Sequence, residues 1–316
     1  MKKKMITSLP VFVETKDGTI WFIFLKYNND YLAIPKYRIV NNILVKGKSY
    51  QSWFSPNFLQ LNDYKRYINF IGESSYSLNE KEIIRVINPK DYNKVINDVF
   101  VFDLISNLAR NLKIAKSKFG IEGSYILRKN NTESDVDIFV YGLDNSHKVK
   151  KYFNTMLSHH NFRKVPLNII KTKLNKLKDS GFGTNDTEAI LQFQKRYYGY
   201  YKNKPFSIVC VPESFEYINI LDNLEHNNAF EGEVVVIDDT YASLIPSKYT
   251  VKYKDELHTL YIYDHYGINQ AKKGDHIYLK CKKYKSQLEN DVFIIAFWNN
   301  YDSIFNNLSL IEVKND

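Results

Sequence analysis

The chain has 316 residues, of which 44% are hydrophobic and 25% charged, with 12 Gly and 8 Pro. These are the proportions of a folded globular protein, and they exclude collagen-like and low-complexity classes. At about 150 residues per domain the length predicts two or three domains, and the formal charge of +9 is spread unevenly over them. Residues 1–97 carry 15 Lys/Arg against 8 acids, residues 98–228 carry 19 against 14, and residues 229–316 carry 10 against 13. The basic excess lies in the first two thirds, which favours an anionic partner there.

The segment before Pro10 reads as a short basic tail, because Thr7 and Ser8 interrupt its apolar stretch and no small-residue cleavage site follows. From Val11 the pattern is strand-rich: VFVET, a Lys16-Asp17-Gly18 turn, TIWFIFLKY, then YLAIPKYRIV. β-Branched and aromatic residues on both sides of that turn predict a hairpin. Beyond Pro89 the period changes. From Asp91 to Lys116 apolar residues recur at three and four (Val95, Val99, Phe102, Leu108, Leu112), which predicts an amphipathic helix entering a second domain.

A short strand (FGIEG), a turn with a short helix (SYILRK) and a strand (DVDIFVYG) come next. Helical stretches are predicted over 148–157 and 167–178, and a third over about 186–200, where Asn185 and Glu188 are spaced as a capping box. The strand PFSIVCVP closes this part, an α-β-α-β-α-β order that predicts a small α/β domain with a mixed sheet. From Glu231 onward only strands follow, about five in under ninety residues, as in a small barrel or sandwich. The expected fold class is therefore α+β or α/β, with strand-rich residues 1–97, a central core at 98–228 and an all-β domain at 229–316.

The longest apolar runs, Ile20 to Leu25 and Val292 to Trp298, fall far short of the ~20 residues of a membrane helix. No membrane partner is expected. Cys210 and Cys281 sit in alternating apolar segments without metal-ligand spacing, so the expected setting is a reducing cytoplasm.

One motif carries chemistry. Gly123-Ser124 is followed, after ten residues, by Asp135-Val136-Asp137 in an apolar strand. Residues two apart on a strand share a face, so the two carboxylates stand side by side and repel each other unless a cation lies between them. Mg²⁺ takes one or two carboxylates plus substrate phosphates. A Gly-Ser turn lets backbone N–H groups and a hydroxyl approach those phosphates.

The segment GSYILRKNNTESDVDIFVYG resembles the polymerase-β-like nucleotidyltransferase superfamily, whose signature is Gly-Ser, a short helix and Asp-x-Asp in the next strand. The resemblance covers about residues 98–211, and the β-rich flanks look like those of an uncharacterised archaeal group in that superfamily. It implies a nucleotidyltransferase core, with Asp135 and Asp137 as catalytic metal ligands for Mg²⁺ or Mn²⁺ and Gly123, Ser124 and Arg128 near the nucleoside triphosphate.

Two departures stand out. Superfamily members usually supply a third carboxylate from the next core strand, whereas PFSIVCVP has none; Ser207, a water, Glu213, Asp186 or Glu188 would have to substitute. Arg128 stands where many members have glycine, and is either a phosphate contact or an exposed helix-end residue.

Residues 145–178 hold nine Lys/Arg and three His with no acid. Lys148, Lys150, Lys151, Lys171, Lys173 and Lys176 are candidates for an RNA path, with two solvated lysine-rich helices as the alternative. His159-His160 face different directions on a helix and read as surface residues rather than ligands. The lysines, His276 and Tyr278 on one side of 275–282 are read as edge protection rather than a stacking platform for single strands. The expected activity is transfer of a nucleoside monophosphate from a triphosphate to an acceptor hydroxyl on RNA, a protein or a small molecule. The alternative is a non-catalytic nucleotide- or RNA-binding protein that lost the third carboxylate.

Overall fold

The Lys16-Asp17-Gly18 turn is built around the Asp17 carboxylate. It accepts hydrogen bonds from the Thr15 hydroxyl (2.6 Å) and the Thr19 hydroxyl (2.7 Å), while Gly18 takes φ +79°, a value open to glycine without steric cost. The turn joins β1 (Val11–Thr15) to β2 (Thr19–Tyr27) in antiparallel register, as the sequence predicts. In this computed structural model, residues 6, 9–40, 43–46, 61, 63–68, 73–92, 97–127, 135–179, 190, 194–213, 224–263, 268–287, 291–296 and 308–310 are described.

The hairpin continues into β3 (Asp30–Val40), β4 (Ile43–Lys46), β5 (Lys65–Ile68), β6 (Glu73–Asn79) and β7 (Ile83–Ile87). Together these form one antiparallel sheet in the order β5-β6-β3-β2-β1-β7, with β4 also on β3. Trp21 is fully buried in it, and its indole N–H donates to the Thr15 hydroxyl at 2.9 Å.

Within the stretch expected to be helical from Asp91, Tyr92 is helical, residues 93–96 lie outside the described residues, and the next helix follows at Val99. Helix α1 spans Val99–Leu112, with the Asp98 carboxylate accepting from the Phe100 N–H at 2.8 Å and Lys113 closing it in the left-handed region. An N-cap of this kind contributes about 1 kcal/mol and fixes the start, since Asn88 and Pro89 already open a separate 3₁₀ turn. The chain then forms β8 (Phe119–Glu122), α2 (Ser124–Leu127), β9 (Val136–Tyr141), α3 (Leu143–Met156), β10 (Phe162–Lys164), α4 (Leu167–Asp179), β11 (Tyr197–Tyr201) and β12 (Lys204–Val211). The five strands lie in the order β10-β11-β12-β9-β8, and only β9 and β12 run parallel.

The last part is β13 (Leu224–Tyr241), β14 (Ser247–Tyr253), β15 (Glu256–Tyr263), β16 (His276–Ser286), β17 (Val292–Ala296) and β18 (Leu308–Leu310). The 18-residue β13 pairs with β14 at one end and β16 along the rest, closing a five-stranded barrel in the order β13-β14-β15-β17-β16. Its interior holds Tyr249, Val251, Leu260, Ile262, Ile277, Leu279 and Phe293. Truncating the fully buried Phe293 to Ala should cost ~3–5 kcal/mol, read by denaturant unfolding.

The expected α+β or α/β class with a nucleotidyltransferase core is corrected by this architecture. Among the described residues eighteen strands stand against four α-helices, in three sheets of which one is a closed barrel. Strands so far outnumber helices that the expected class, helices and a short mixed sheet in a nucleotidyltransferase core, does not fit the described residues. One physical reason lies in the third expected helix, whose last turn is instead strand β11. Its YYGYY run is aromatic, favouring a pleated, half-buried surface over a helix. The residues that would cap that helix, Asn185 and Glu188, lie outside the described residues.

The two faces of the central sheet differ. Val136, Ile138 and Val140 of β9 pack with Leu104, Leu108 and Leu112 of α1 and Val149, Phe153 and Met156 of α3. On the opposite face Phe139, Tyr141, Val209 and Val211 form a small cluster covered by Phe22 and Ile245. The remaining end of that face is polar.

Candidate functional site

Strand alternation puts Asp137 on the polar end of that face, because its neighbours Val136 and Ile138 are fully buried on the helix side. The pairing registers then fix a row across four strands. Glu122 of β8 lies opposite Asp137, Asp137 opposite Ser207 of β12, and Ser207 opposite Tyr198 of β11. Directly paired residues point to the same side of a sheet. Asp135 immediately precedes β9, on the same side as Asp137. The Ser207 hydroxyl donates to Asp137 Oδ1 at 2.6 Å, so Ser207, one of the expected substitutes for a third carboxylate, touches the pair.

Gly123 follows Glu122 with φ +72°. A Cβ on it would stand 3.2 Å from Asp137 Oδ2 and 3.8 Å from the Tyr37 hydroxyl. Glycine is therefore required here twice, by its backbone conformation and by the approach of the carboxylate. Ser124 opens the four-residue helix α2, but its side chain and Arg128 lie outside the described residues. So do Asp186 and Glu188.

Glu122 is the residue the sequence reading missed. The signal was available: in FGIE, Phe119 and Ile121 are the apolar alternates, which places Glu122 on the other face directly ahead of the Gly-Ser turn. The acid stands in the strand before the turn and not in the next core strand. Among the described residues no three His, Cys, Asp or Glu side chains converge on one metal position. The donor chemistry nonetheless suits Mg²⁺, which needs only one or two hard carboxylates when substrate phosphates complete its shell.

No protein-family model matches the chain, and no curated protein or solved structure matches it.

Tyr198 reports the charge of the row. Burial pushes its phenol pKa up, Asp135, Tyr200 and Asp137 push it further, and Arg196 pulls it down. Glu213, another expected substitute, is engaged elsewhere: Lys90 (2.9 Å) and Lys118 (2.8 Å) hold its carboxylate. Burial raises its pKa, but the hydrogen bonds from Lys118 and Lys90 outweigh burial and hold it below 4.5. A depressed carboxylate pKa adds stability that is present above the unfolded value and lost as pH falls through the folded one. Replacing Lys90 and Lys118 with Gln should raise the Glu213 pKa and remove that contribution, so stability at neutral pH falls and depends less on pH through the acid range. Denaturant unfolding across that range would read it.

The six candidate lysines lie on two helices. Helix α3 lies on the face opposite Asp137, so Lys148, Lys150 and Lys151 belong to the far side of the sheet, and Lys150 pairs with Asp239 at 3.1 Å. Lys171, Lys173 and Lys176 are on α4, which packs through Ile170 and Leu174 against Tyr198. The side chains of Lys173 and Lys176 lie outside the described residues. His159 and His160 are exposed beyond the end of α3. On β16, His276 contacts Glu233 at 2.6 Å and Tyr278 donates to Glu231 at 2.7 Å, so this face is tied to β13.

Small five-stranded barrels can bind oligonucleotides across their second and third strands. Here the outward Tyr261 and Tyr263 of β15 pack on Leu25, Leu32 and Ile68 of the N-terminal sheet, which covers that end of the face.

Cys210 and Cys281 are free, and burial pushes both thiols up. Among the described residues no helix is long and apolar enough to cross a membrane.

Proposed function

We propose that the chain is a Mg²⁺-dependent nucleotidyltransferase that works in the cytoplasm on a nucleoside triphosphate and an RNA hydroxyl. The reading rests on the residues of the site and not on the fold class. The observation that carries it is the row in which Glu122, Asp137 and Ser207 stand opposite one another beside Gly123, with Asp135 two residues from Asp137.

Asp135 and Asp137 would hold the metal, which supplies neutralisation of phosphate charge. Ser207 fixes the Asp137 carboxylate, and the Gly123 backbone leaves room for phosphate oxygens beside it. Glu122 is placed to take the proton of the acceptor hydroxyl. The acceptor oxygen forms a bond to the α-phosphorus, the bond from that phosphorus to the bridging oxygen breaks, and pyrophosphate leaves with the electron pair. Positioning and charge stabilisation would supply the rest of the catalysis beside this proton transfer.

The test is pyrophosphate release from each nucleoside triphosphate with Mg²⁺ or Mn²⁺ and an RNA oligonucleotide, for wild type and Glu122→Gln. Removal of a general base reduces turnover by about 10²–10⁴. Unchanged turnover in Glu122→Gln would remove Glu122 from the mechanism. A second reading, a non-catalytic nucleotide-binding protein, is favoured by the absence of three converging ligands among the described residues. Metal-dependent triphosphate binding without pyrophosphate release would select it. Replacing Lys148, Lys150 and Lys151 with Gln should change triphosphate affinity less than about twofold, because those side chains lie across the sheet from the carboxylates and are screened; calorimetric titration would show it.

A further inference from the structure

A cavity of about 300 Å³ opens between α3, the β10–α4 connection and the start of β11. This is the lower end of the range for sites that hold a small organic ligand. Its floor is apolar and aromatic, with Phe153, Val165 and Tyr198 among the lining residues, and its rim carries Lys164, Arg196 and the carboxamide of Gln194. Tyr198 belongs at once to the cavity wall and to the row that contains Asp137. Two strand spacings separate Tyr198 from Asp137, about 10 Å.

The cations decide what enters. On the proposed reading the triphosphate's charge would be met at the metal and the Gly123 turn, so a pocket with Lys164, three strands away from Asp137, and Arg196 suits a second anionic group. An aromatic floor suits a planar ring, and a carboxamide suits the hydrogen-bonding edge of a base. We propose that this cavity is the acceptor subsite, taking the terminal nucleotide of a polynucleotide with its base against Tyr198 and its phosphate at Lys164 and Arg196. The α3 residues of the wall lie on the other face of the sheet, so the proposal requires the ribose at the Tyr198 end of the cavity, the end that shares a row with Asp137. The proposal rests on the nucleotidyltransferase reading for the role of the bound nucleotide, but not for its binding.

The experiment is calorimetric titration of the full chain, with EDTA present, using the four nucleoside 5′-monophosphates, ribose 5-phosphate and inorganic phosphate. At least one monophosphate should bind measurably more tightly than ribose 5-phosphate and phosphate. The double variant Lys164→Gln/Arg196→Gln should weaken it at least about tenfold, the loss of a charge-assisted hydrogen bond. Lys164→Arg/Arg196→Lys should retain most of the affinity, which separates charge recognition from damage to the fold. Val165→Trp, which fills the cavity, should abolish binding while the melting curve stays cooperative. Asp135→Asn/Asp137→Asn should bind the monophosphate as wild type does.

Equal binding of ribose 5-phosphate or inorganic phosphate would overturn the proposal, as would binding indifferent to the cavity variants or no monophosphate binding at all. Triphosphate binding with Mg²⁺ is measured in parallel. If it is absent while monophosphate binding persists, the nucleotidyltransferase reading fails and the cavity stands as a nucleotide site. If it is present while the cavity binds nothing, only the acceptor subsite falls.

Discussion

Replacing Asp135 and Asp137 together with Asn should abolish Mg²⁺-dependent binding of a nucleoside triphosphate and leave the fold standing. The Ser207 hydroxyl donates to Asp137 Oδ1, and an Asn carbonyl oxygen at that place can accept the same bond, so no buried donor is orphaned. Glu122 lies directly opposite Asp137, and like charges in that relation destabilise a sheet by about 0.2–1 kcal/mol. Removing one of them should hold the melting temperature or raise it by up to about 2–4 °C. Thermal melting and calorimetric titration of Mg²⁺ and triphosphate on the same preparations give both readings. A fall in stability beyond ~2 kcal/mol would instead make the carboxylates members of a structural ion-pair network.

The sequence exposed the parts of this site that depend on local period and missed those that depend on pairing. Alternation within VDIFVY placed Asp137 opposite Val136 and Ile138, and the structure bears this out. The Asp17 turn and the core face of α1 were legible for the same reason, since a turn needs a few neighbouring residues and a helix repeats within four. Which strand lies beside β9 is not written locally. The antiparallel partner is β8, so Glu122 meets Asp137 from upstream, while β12 contributes Ser207. The acid opposite Asp137 comes from β8, and β12 offers a hydroxyl in its place. The basic stretch shows a related failure. Residues 145–178 are contiguous in charge, but α3 packs behind the sheet through Val149 and Phe153 and α4 packs through Ile170 and Leu174 beside Tyr198. One run in sequence becomes two surfaces in space. Strand β11 was missed because Tyr197 to Tyr200 fall within the helix expected over about 186–200, although an aromatic run favours a pleated surface.

A pair of glycine substitutions separates the two demands made on the turn beside Asp137. Gly123 and Gly274 both have positive φ, +72° and +92°, so Ala at either position carries a backbone cost of about 1–2 kcal/mol. Nothing lies within 4 Å of a Cβ on Gly274, whereas one on Gly123 stands 3.2 Å from Asp137 Oδ2. Gly274→Ala should therefore lose about 1–2 kcal/mol of stability and keep its triphosphate affinity. Gly123→Ala should lose at least as much stability, because the new methyl must push the carboxylate that Ser207 holds. It should also lose more than tenfold in Mg²⁺-dependent triphosphate affinity, about 1.4 kcal/mol, since on the proposed reading the methyl would displace the Asp137 carboxylate that holds the metal beside the phosphates. Denaturant unfolding and calorimetry on the two variants read the four quantities. Unaltered triphosphate affinity in Gly123→Ala would show that phosphates do not approach this turn, and the catalytic assignment of Asp137 would then lose its geometric support.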